Sequence, residues 1–574
     1  MSLESDTETA ALDTETIASN GATGAPHARA PCGAAAMHAA SRAAKEAFVS
    51  GLSGGGVGEI AAVSALAAPV ALVAAWLAEA LLARRYRAAG GALTCVLSTG
   101  IAIAVVEAAF FAPRGAAPVA LTLVVAVLAL ARYGGGGGAR TGDDRRNSHG
   151  VVQSAQRRNE SVGACTVEQG LAERTLSNDR LAVVTAYRGA MLLTTCVAIL
   201  AVDFNAFPRR LAKTERNGVS VMDAGQGCFV AAAGMAAGLG RGGWGTPKSR
   251  GDSQTRGWLG AAVGRVRAAV AKSAPLLVLA VARPLAVAAV GYQTHVGEYG
   301  AHWSFFASLA CASVVVATLP PPRTLASAWL LGGAAVVAHE LALTRTPLGA
   351  WIVAEERDAT LLSMNKEGVG SLGGYVALML LGRALGGTLR SSADYAARRG
   401  AARSGDFVAA LVAIAFAACG AWALGAVRVL GDGCARGNRD SDASFDPARA
   451  TSRRMANAQY VLFTLAHVCS TLAGLACMEW VLESVVPAST RAYARWPPRV
   501  AQDLNDAGLY AFLAANMLTG LTNMSMDTLV ASDALAATAV WAYGVAFCTI
   551  ASGIAARLAV RARARQSARA TKGD

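Results

Sequence analysis

The chain has 574 residues, 54% of them hydrophobic and only 16% charged, with a formal net charge of +14. Ordinary water-soluble domains carry roughly 25% charged residues, so together with a mean hydropathy of +0.39 the composition excludes a string of soluble domains and points to an all-α polytopic membrane protein. The eleven cysteines form no CxxC pair and lie mostly in apolar runs, which excludes a zinc site or a disulfide framework, and no bound metal is expected.

Residues 1–42 hold Asp, Glu, Thr, Gly and Ala without an apolar core, which predicts a disordered tail and no cleavable signal peptide. From Ile60 onward the apolar mass comes in blocks of about 20 residues, the length a spanning helix needs. The windows are 60–83, 91–112, 116–132, 182–202, 224–239, 271–290, 303–319, 325–343, 370–387, 407–430, 457–477, 507–522 and 534–557. A bundle of about thirteen transmembrane helices is predicted, with the windows at 224–239, 303–319 and 507–522 short for a full crossing. Residues 43–558 then form one multi-pass domain with low-complexity insertions near 133–180, 240–257, 388–405 and 431–452, and 559–574 form a basic tail. No internal repeat is visible.

An odd number of crossings puts the termini on opposite sides. The run RLAVRARARQSARATKGD at the C-terminus belongs in the cytoplasm by the positive-inside rule, so the N-terminus is expected in the lumen. RRYR at 84–87 and the basic 240–270 link then fall on the cytoplasmic side, as do the low-complexity stretches 133–150, 241–257 and 388–405 and the Asn159 sequon. These cations suit anionic lipid headgroups, and no nucleic-acid partner is expected. The remaining links are KEAFVSGLSGGGVGEI, AVDFNAFPRRLAKTERNGVSVMDAGQG, GYQTHVGEYGAHW, NKEGVGSLGGY, TSRRMANAQY and NMSMDT. All six are polar and all fall on the other side, so they predict one composite site at the lumenal rim.

In AVDFNAFPRRLAKTERNGVSVMDAGQG, Pro208 ends the preceding helix, because it lacks an N–H and restricts the residue before it. The chain turns back with Asp203 at the helix end and Arg209, Arg210 and Lys213 just beyond. A carboxylate among cations stays ionised and can serve as a base or charge partner. The arginines suit bidentate phosphate binding and the lysine is a movable point charge; snorkelling to headgroups is the alternative for the arginines. Asp223 closes the stretch as a supporting acid. His295 and Glu298 are three residues apart and would share a helical face as a proton-relay pair, or else sit within an interfacial belt of Tyr292, Tyr299 and Trp303. Asn365, Lys366 and Glu367 precede glycines that could present N–H groups to a phosphate. His339 and His467 lie inside apolar runs and read as core residues. No GxSxG or HExxH signature occurs.

Taken in order, KEAFVSGLSGG, VTAYRGAM, ILAVDFNAFPRRLAKTERNGVSVMDAGQG, YQTHVGEYGAHWSFF, NKEGVGSLGGY, ANAQYVL and LAANMLTGLTNMSMDT resemble the GPI inositol acyltransferase family, which includes the fungal GPI-anchored wall transfer proteins and class W of mammalian GPI biosynthesis. The matches run from residue 45 to 528. The resemblance implies a multi-pass enzyme of the endoplasmic reticulum membrane that moves a fatty acyl chain, typically palmitoyl, from acyl-CoA to the inositol 2-hydroxyl of glucosaminyl-phosphatidylinositol. Acyl-CoA is then a co-substrate, no cofactor is needed, and no obligate protein partner is evident. The family's proposed catalytic Asp and Lys fall on Asp203 and Lys213. Arg209, Arg210, Asp223, His295, Glu298, Asn365, Lys366, Glu367, Asn457 and Asn523 are the expected supporting or substrate-binding residues. Departures are local: SLGGY follows NKEGVG, FTLAHV follows ANAQYVL, and Asp527 stands where Asn is more usual.

Two other readings compete. A membrane-bound O-acyltransferase of the His/Asn type predicts a catalytic histidine within a helix, for which His339 is the candidate. A lipid or ion-coupled transporter predicts paired broken helices and charge at mid-membrane, whereas the charges here gather at one boundary.

Overall fold

Runs of alanine, leucine and valine, interrupted by glycine, proline and clustered charge, set where the helices start and stop. The computed structural model describes residues 48, 50–85, 91–111, 182–240, 258–290, 296–398, 404–425, 450–487, 491 and 494–570. These residues form helices and turns with no strand among them, and the unit Ser50–Asp574 holds every helix named below. The longer helices are α1 (Val57–Arg85), α2 (Gly91–Phe111), α3 (Ala182–Ala201), α4 (Val221–Leu239), α5 (Trp258–Val290), α6 (Phe305–Thr318), α7 (Leu325–Arg345), α8 (Leu372–Arg398), α9 (Ser404–Ala423), α10 (Ala458–Val485), α11 (Arg499–Ala507), α12 (Leu509–Ser525) and α13 (Asp533–Ala570).

A helix stands at every predicted window except 116–132, which lies outside the described residues, as do the 1–42 tail and the Asn159 sequon. Eight of the described helices are long and apolar enough to cross a membrane. The three short windows give helices of 19, 14 and 17 residues. At 1.5 Å per residue the 14 residues of α6 rise about 21 Å, less than the ~30 Å hydrocarbon core. The number of crossings therefore remains an expectation.

Several boundaries differ from the expected ones: α5 begins at Trp258, inside the stretch read as the 240–270 link, and α10 runs on to Val485, past the expected 477. α8 continues to Arg398, into the stretch read as a low-complexity insertion. α13 continues to Ala570, through most of the expected tail. The α8 and α13 extensions are rich in Ala and Arg, strong helix formers that need no packing partner to keep the helix going. Arg390 also donates to the Leu239 carbonyl at 2.6 Å, tying the end of α4 to α8.

α3 is the hub. It packs against α1, α2, α4, α10, α11, α12 and α13, and its small residues admit close neighbours. A Cβ on Gly189 would stand 2.3 Å from the Ala501 carbonyl oxygen of α11. The α4–α8 pair is built the same way from both sides. Gly234 and Gly238 of α4 face the Met379 and Arg383 carbonyls, while Gly382 and Gly386 of α8 face those of Ala231 and Met235. Small residues four apart let two backbones approach in lipid, where dispersion and weak polar contacts replace the hydrophobic drive.

Capping fixes where the site-end helices begin. The Ser220 hydroxyl accepts the Asp223 N–H at 3.1 Å to start α4. The Asn457 side chain accepts the Tyr460 N–H at 3.1 Å to start α10. Thr324 and Ser327 exchange hydrogen bonds at the start of α7. Each satisfies donors that the first helical turn leaves without an intrahelical partner.

Candidate active site

α3 ends at Ala201, and the chain turns through Pro208 into a short 3₁₀ turn at Arg209–Leu211. Phe207 wedges the turn edge-on against Phe110 and Phe111 of α2. Arg209 folds back beneath it and donates to the carbonyls of Val202, Phe204 and Phe207 at 2.7, 3.3 and 3.1 Å, filling acceptors that the end of α3 leaves open. Burial lowers its guanidinium pKa to about 10, partly offset by Asp203. Arg210 grips Glu59 of α1 through Nε and Nη2 at 2.7 to 2.9 Å. Both arginines thus have protein partners of their own.

The six polar stretches meet at this rim. Residues 51–55 run beside 214–219, with Gly55 N–H on the Val219 carbonyl at 3.1 Å and Glu215 N–H on that of Leu52 at 2.9 Å. The approach is so close that a Cβ on Gly54 or Gly218 would lie 2.2 Å from a backbone oxygen, and both residues have positive φ; glycine alone fits there. Gly218 N–H reaches the Thr451 carbonyl at 2.9 Å. His302 N–H reaches the Asn365 side chain at 2.8 Å, and Asn523 of α12 reaches Asp203 at 2.7 Å. The segments 203–223 and 365–375 meet at one end of the bundle, linked through Glu298, Arg453 and Arg454.

Asp203 and Lys213 belong to two neighbouring groups of this rim. Asp203, half-buried, accepts from Asn523 Nδ2. The exposed Lys213 donates to Glu298 Oε1 at 2.5 Å. Glu298 lies in a short helix, Val296–Tyr299; the same oxygen is 3.5 Å from Arg453 Nη1. Burial opposes its charge, but Lys213 and Arg453 outweigh that and hold the carboxyl at about 2. Held ionised between two cations, Glu298 is an acceptor fixed toward Lys213 and Arg453. His295 lies outside the described residues.

Beneath the rim the supporting residues interlock. Asp223 is fully buried and accepts from Thr214 N–H, the Thr214 and Ser220 hydroxyls, and Arg453 Nε at 2.8 Å. Glu367 is clamped by Arg357 at 2.5 Å and Arg454 at 2.7 Å. The buried Lys366 ammonium donates to the carbonyls of Ala354 and Glu356. Asn365 and Asn457 serve the backbone of Leu361, His302, Ala450, Ser452 and Tyr460. Glycines of this stretch also admit close packing. A Cβ on Gly368 would meet the Trp303 ring, on Gly373 the His339 ring, and on Gly374 the Ala456 backbone. His339 itself bonds the Met455 carbonyl at 3.0 Å, the core role its apolar setting predicts.

Several residues were missed from sequence. Arg453 and Arg454 stand immediately before an apolar run, where a basic doublet reads as headgroup contacts. Glu59 and Arg357 had no distinguishing neighbours. Tyr299, Gln226 and Tyr375 form a partly buried chain, Tyr299 donating to Gln226 at 2.8 Å and Gln226 in turn to Tyr375, and nothing in their local spacing marks it.

A cavity of about 190 Å³ lies between α3, α4, α6 and α12. Phe229, Phe305, Phe306 and Phe512 line it and stack edge-on, with Arg188 and Asn505 as its polar members. No cluster of metal-ligating side chains occurs among the described residues.

A many-helix bundle with eight described helices long and apolar enough to cross a membrane, and with loops from across the chain gathered into one charged rim, defines a multi-span membrane protein. The family pattern described as GWT1 matches residues 41–554. GPI-anchored wall transfer protein 1 of Gibberella zeae is 34% identical over 85% of this chain and 92% of its own length. The protein of the same name in Aspergillus fumigatus is 31% identical over 86% and 93%, and that in Candida albicans 32% over 62% and 70%. The chain belongs to the GWT1 family.

Proposed function

We propose that the protein acts in GPI-anchor biosynthesis, transferring a palmitoyl-class acyl chain from acyl-CoA to the inositol 2-hydroxyl of glucosaminyl-phosphatidylinositol. The setting is the endoplasmic reticulum membrane, with the N-terminus lumenal and the C-terminus cytoplasmic. The observation that carries this reading is the pair Asp203 and Lys213, an acid and an amine ten positions apart on one turn, each tethered by a residue from a distant element. The names of the relatives and the apolar, aromatic-lined cavity within the bundle favour a lipid substrate.

In the proposed reaction the Asp203 carboxylate takes the proton of the inositol hydroxyl as its oxygen attacks the thioester carbonyl. The developing oxyanion faces the Lys213 ammonium. The C–S bond then breaks, the ester forms, and the leaving thiolate takes the proton that Asp203 accepted and departs as the thiol, so the carboxylate is restored. Asn523 orients Asp203. Arg209 and Arg210 hold the turn in shape, and any phosphate contact they make is through what their protein partners leave exposed.

General-base help contributes about 10²–10⁴ in rate, and one oxyanion donor about 3–4 kcal/mol. Asp203→Asn and Lys213→Ala are therefore each expected to lower acyl transfer at least ~100-fold in microsomes supplied with acyl-CoA and glucosaminyl-phosphatidylinositol, with expression unchanged. Normal turnover by either variant removes that residue from the mechanism.

A further inference from the structure

Lys213 is held at both ends. Its side chain donates to Glu298, Glu298 faces Arg453, and Arg453 Nε bonds Asp223 Oδ1. Its backbone is fixed through the next residue, because Thr214 N–H and hydroxyl both donate to that same Asp223. The links close a ring: Lys213, Glu298, Arg453, Asp223, Thr214 and back to Lys213. Around it the charge alternates, and exposure falls from 43% at the lysine to 19% at Glu298, 7% at Arg453 and 1% at Asp223. The buried side is anchored further by the Ser220 hydroxyl on Asp223 and by Tyr460 on the Asp223 carbonyl. Four segments, from the turn after α3, the start of α4, the 296–299 helix and the approach to α10, contribute one residue or more each.

We propose that Glu298 and Arg453 are positioning residues for Lys213, fixing its ammonium in the direction from which it meets the substrate oxyanion; this rests on the reading of Lys213 as a participant in acyl transfer. A free lysine is a flexible four-carbon stem that samples many rotamers. The ring removes that freedom before the substrate arrives, and the donors that meet developing charge are most effective when they need no reorganisation. Glu298 fits the task because it faces two cations and so stays charged, and because a carboxylate, unlike a neutral amide, brings negative charge to both. The groups facing it are the cations Lys213, Arg453 and Arg283 together with Tyr299 and Tyr375.

The test is steady-state kinetics on full-length enzyme in detergent, with both substrates varied. Glu298→Gln keeps size and hydrogen-bonding capacity but loses charge; Glu298→Asp keeps charge but is shorter. A positioning role predicts kcat down about 10²-fold in Glu298→Gln, the order of loss expected from misplacing a reacting group, with KM for either substrate nearly unchanged. It also predicts partial recovery in Glu298→Asp. A Gln variant as active as the Asp variant, or more so, overturns the role, since a merely structural contact tolerates the isosteric amide better. Arg453→Lys is the second arm should Glu298→Gln not yield folded protein. It keeps a cation but not the fork that reaches two carboxylates, so kcat is expected to fall several-fold with KM retained, and an unaltered kcat overturns the proposal. Lys213→Ala separates the two levels. Normal activity there removes the underlying reading, whereas an inactive Lys213→Ala beside a fully active Glu298→Gln removes the positioning role alone.

Discussion

At the scale of single residues, the rim is a set of charges whose partners come from far away in the chain. Asp203 has its donor 320 positions away in Asn523. A hydrogen bond to a charged group contributes about 1.5–3 kcal/mol, so Asn523→Ala is expected to lower kcat roughly 10- to 100-fold while leaving the melting temperature in detergent nearly unchanged. Glu367 is the opposite case. Its side chain is fully buried between Arg357 and Arg454, and deleting one member of a buried ion group leaves uncompensated charge at a cost of about 3–5 kcal/mol. Glu367→Ala is therefore expected to lower thermal stability in detergent before any effect on substrate KM is measurable. The two variants distinguish a residue that serves the chemistry from one that holds the scaffold.

At the scale of elements, the α4–α8 seam sets the geometry of the rim, because α4 begins at Asp223's cap and α8 follows Glu367 by a few residues. A Cβ on Gly382 would lie 2.4 Å from the Ala231 carbonyl oxygen. Gly382→Ala forces the backbones apart, and overpacking of this kind costs about 1–3 kcal/mol. The expected outcome is a lower melting temperature by fluorescence-detected size exclusion, larger than for Gly420→Ala, where nothing lies near the added methyl. α13 shows what composition does without packing. Its 38 residues rise about 57 Å, nearly twice the hydrocarbon thickness, so its arginine-rich end stands clear of the core at the end of the bundle away from Asp533.

At the scale of the whole molecule, convergence of the loops is the organising feature, and it is open to a direct test. Arg216 and Glu355 are both exposed and meet at 2.8 Å. Single cysteines placed at 216 and 355 in a background without other reactive thiols are expected to be modified from the same side of sealed vesicles, and one at 563 from the other. Charge at the rim also gives a pH signature. The Glu298 carboxyl is depressed from 4.5 to about 2, so the stability it contributes is fully present above about 4.5 and is lost only as the pH falls toward 2. The melting-temperature gap between wild type and Glu298→Gln should be level from pH 7 to 5 and close below that.

Legibility from sequence followed the range of the forces involved. Apolar blocks report helices because each block satisfies its own backbone hydrogen bonds in lipid, so helix positions, the short helices and the all-α class could be read locally. The ends of α8 and α13 could not, since helix propensity carries them past the apolar boundary into residues that look like linker. The stretch around Asp203 and Lys213 stood out because mixed charge beside an apolar run is costly unless paired. Which groups pair was decided only in three dimensions. Arg453, not singled out in its polar stretch, is a buried bridge between Asp223 and Glu298; Lys366, expected as a supporting or substrate-binding residue, donates to two carbonyls. Sequence alone determined the helices and the placing of charge at their ends, because those are set by burial along the chain. Tertiary structure decided which charge meets which, because Coulomb and hydrogen-bond partners are chosen by proximity in space, and here the partners are as many as 320 residues apart.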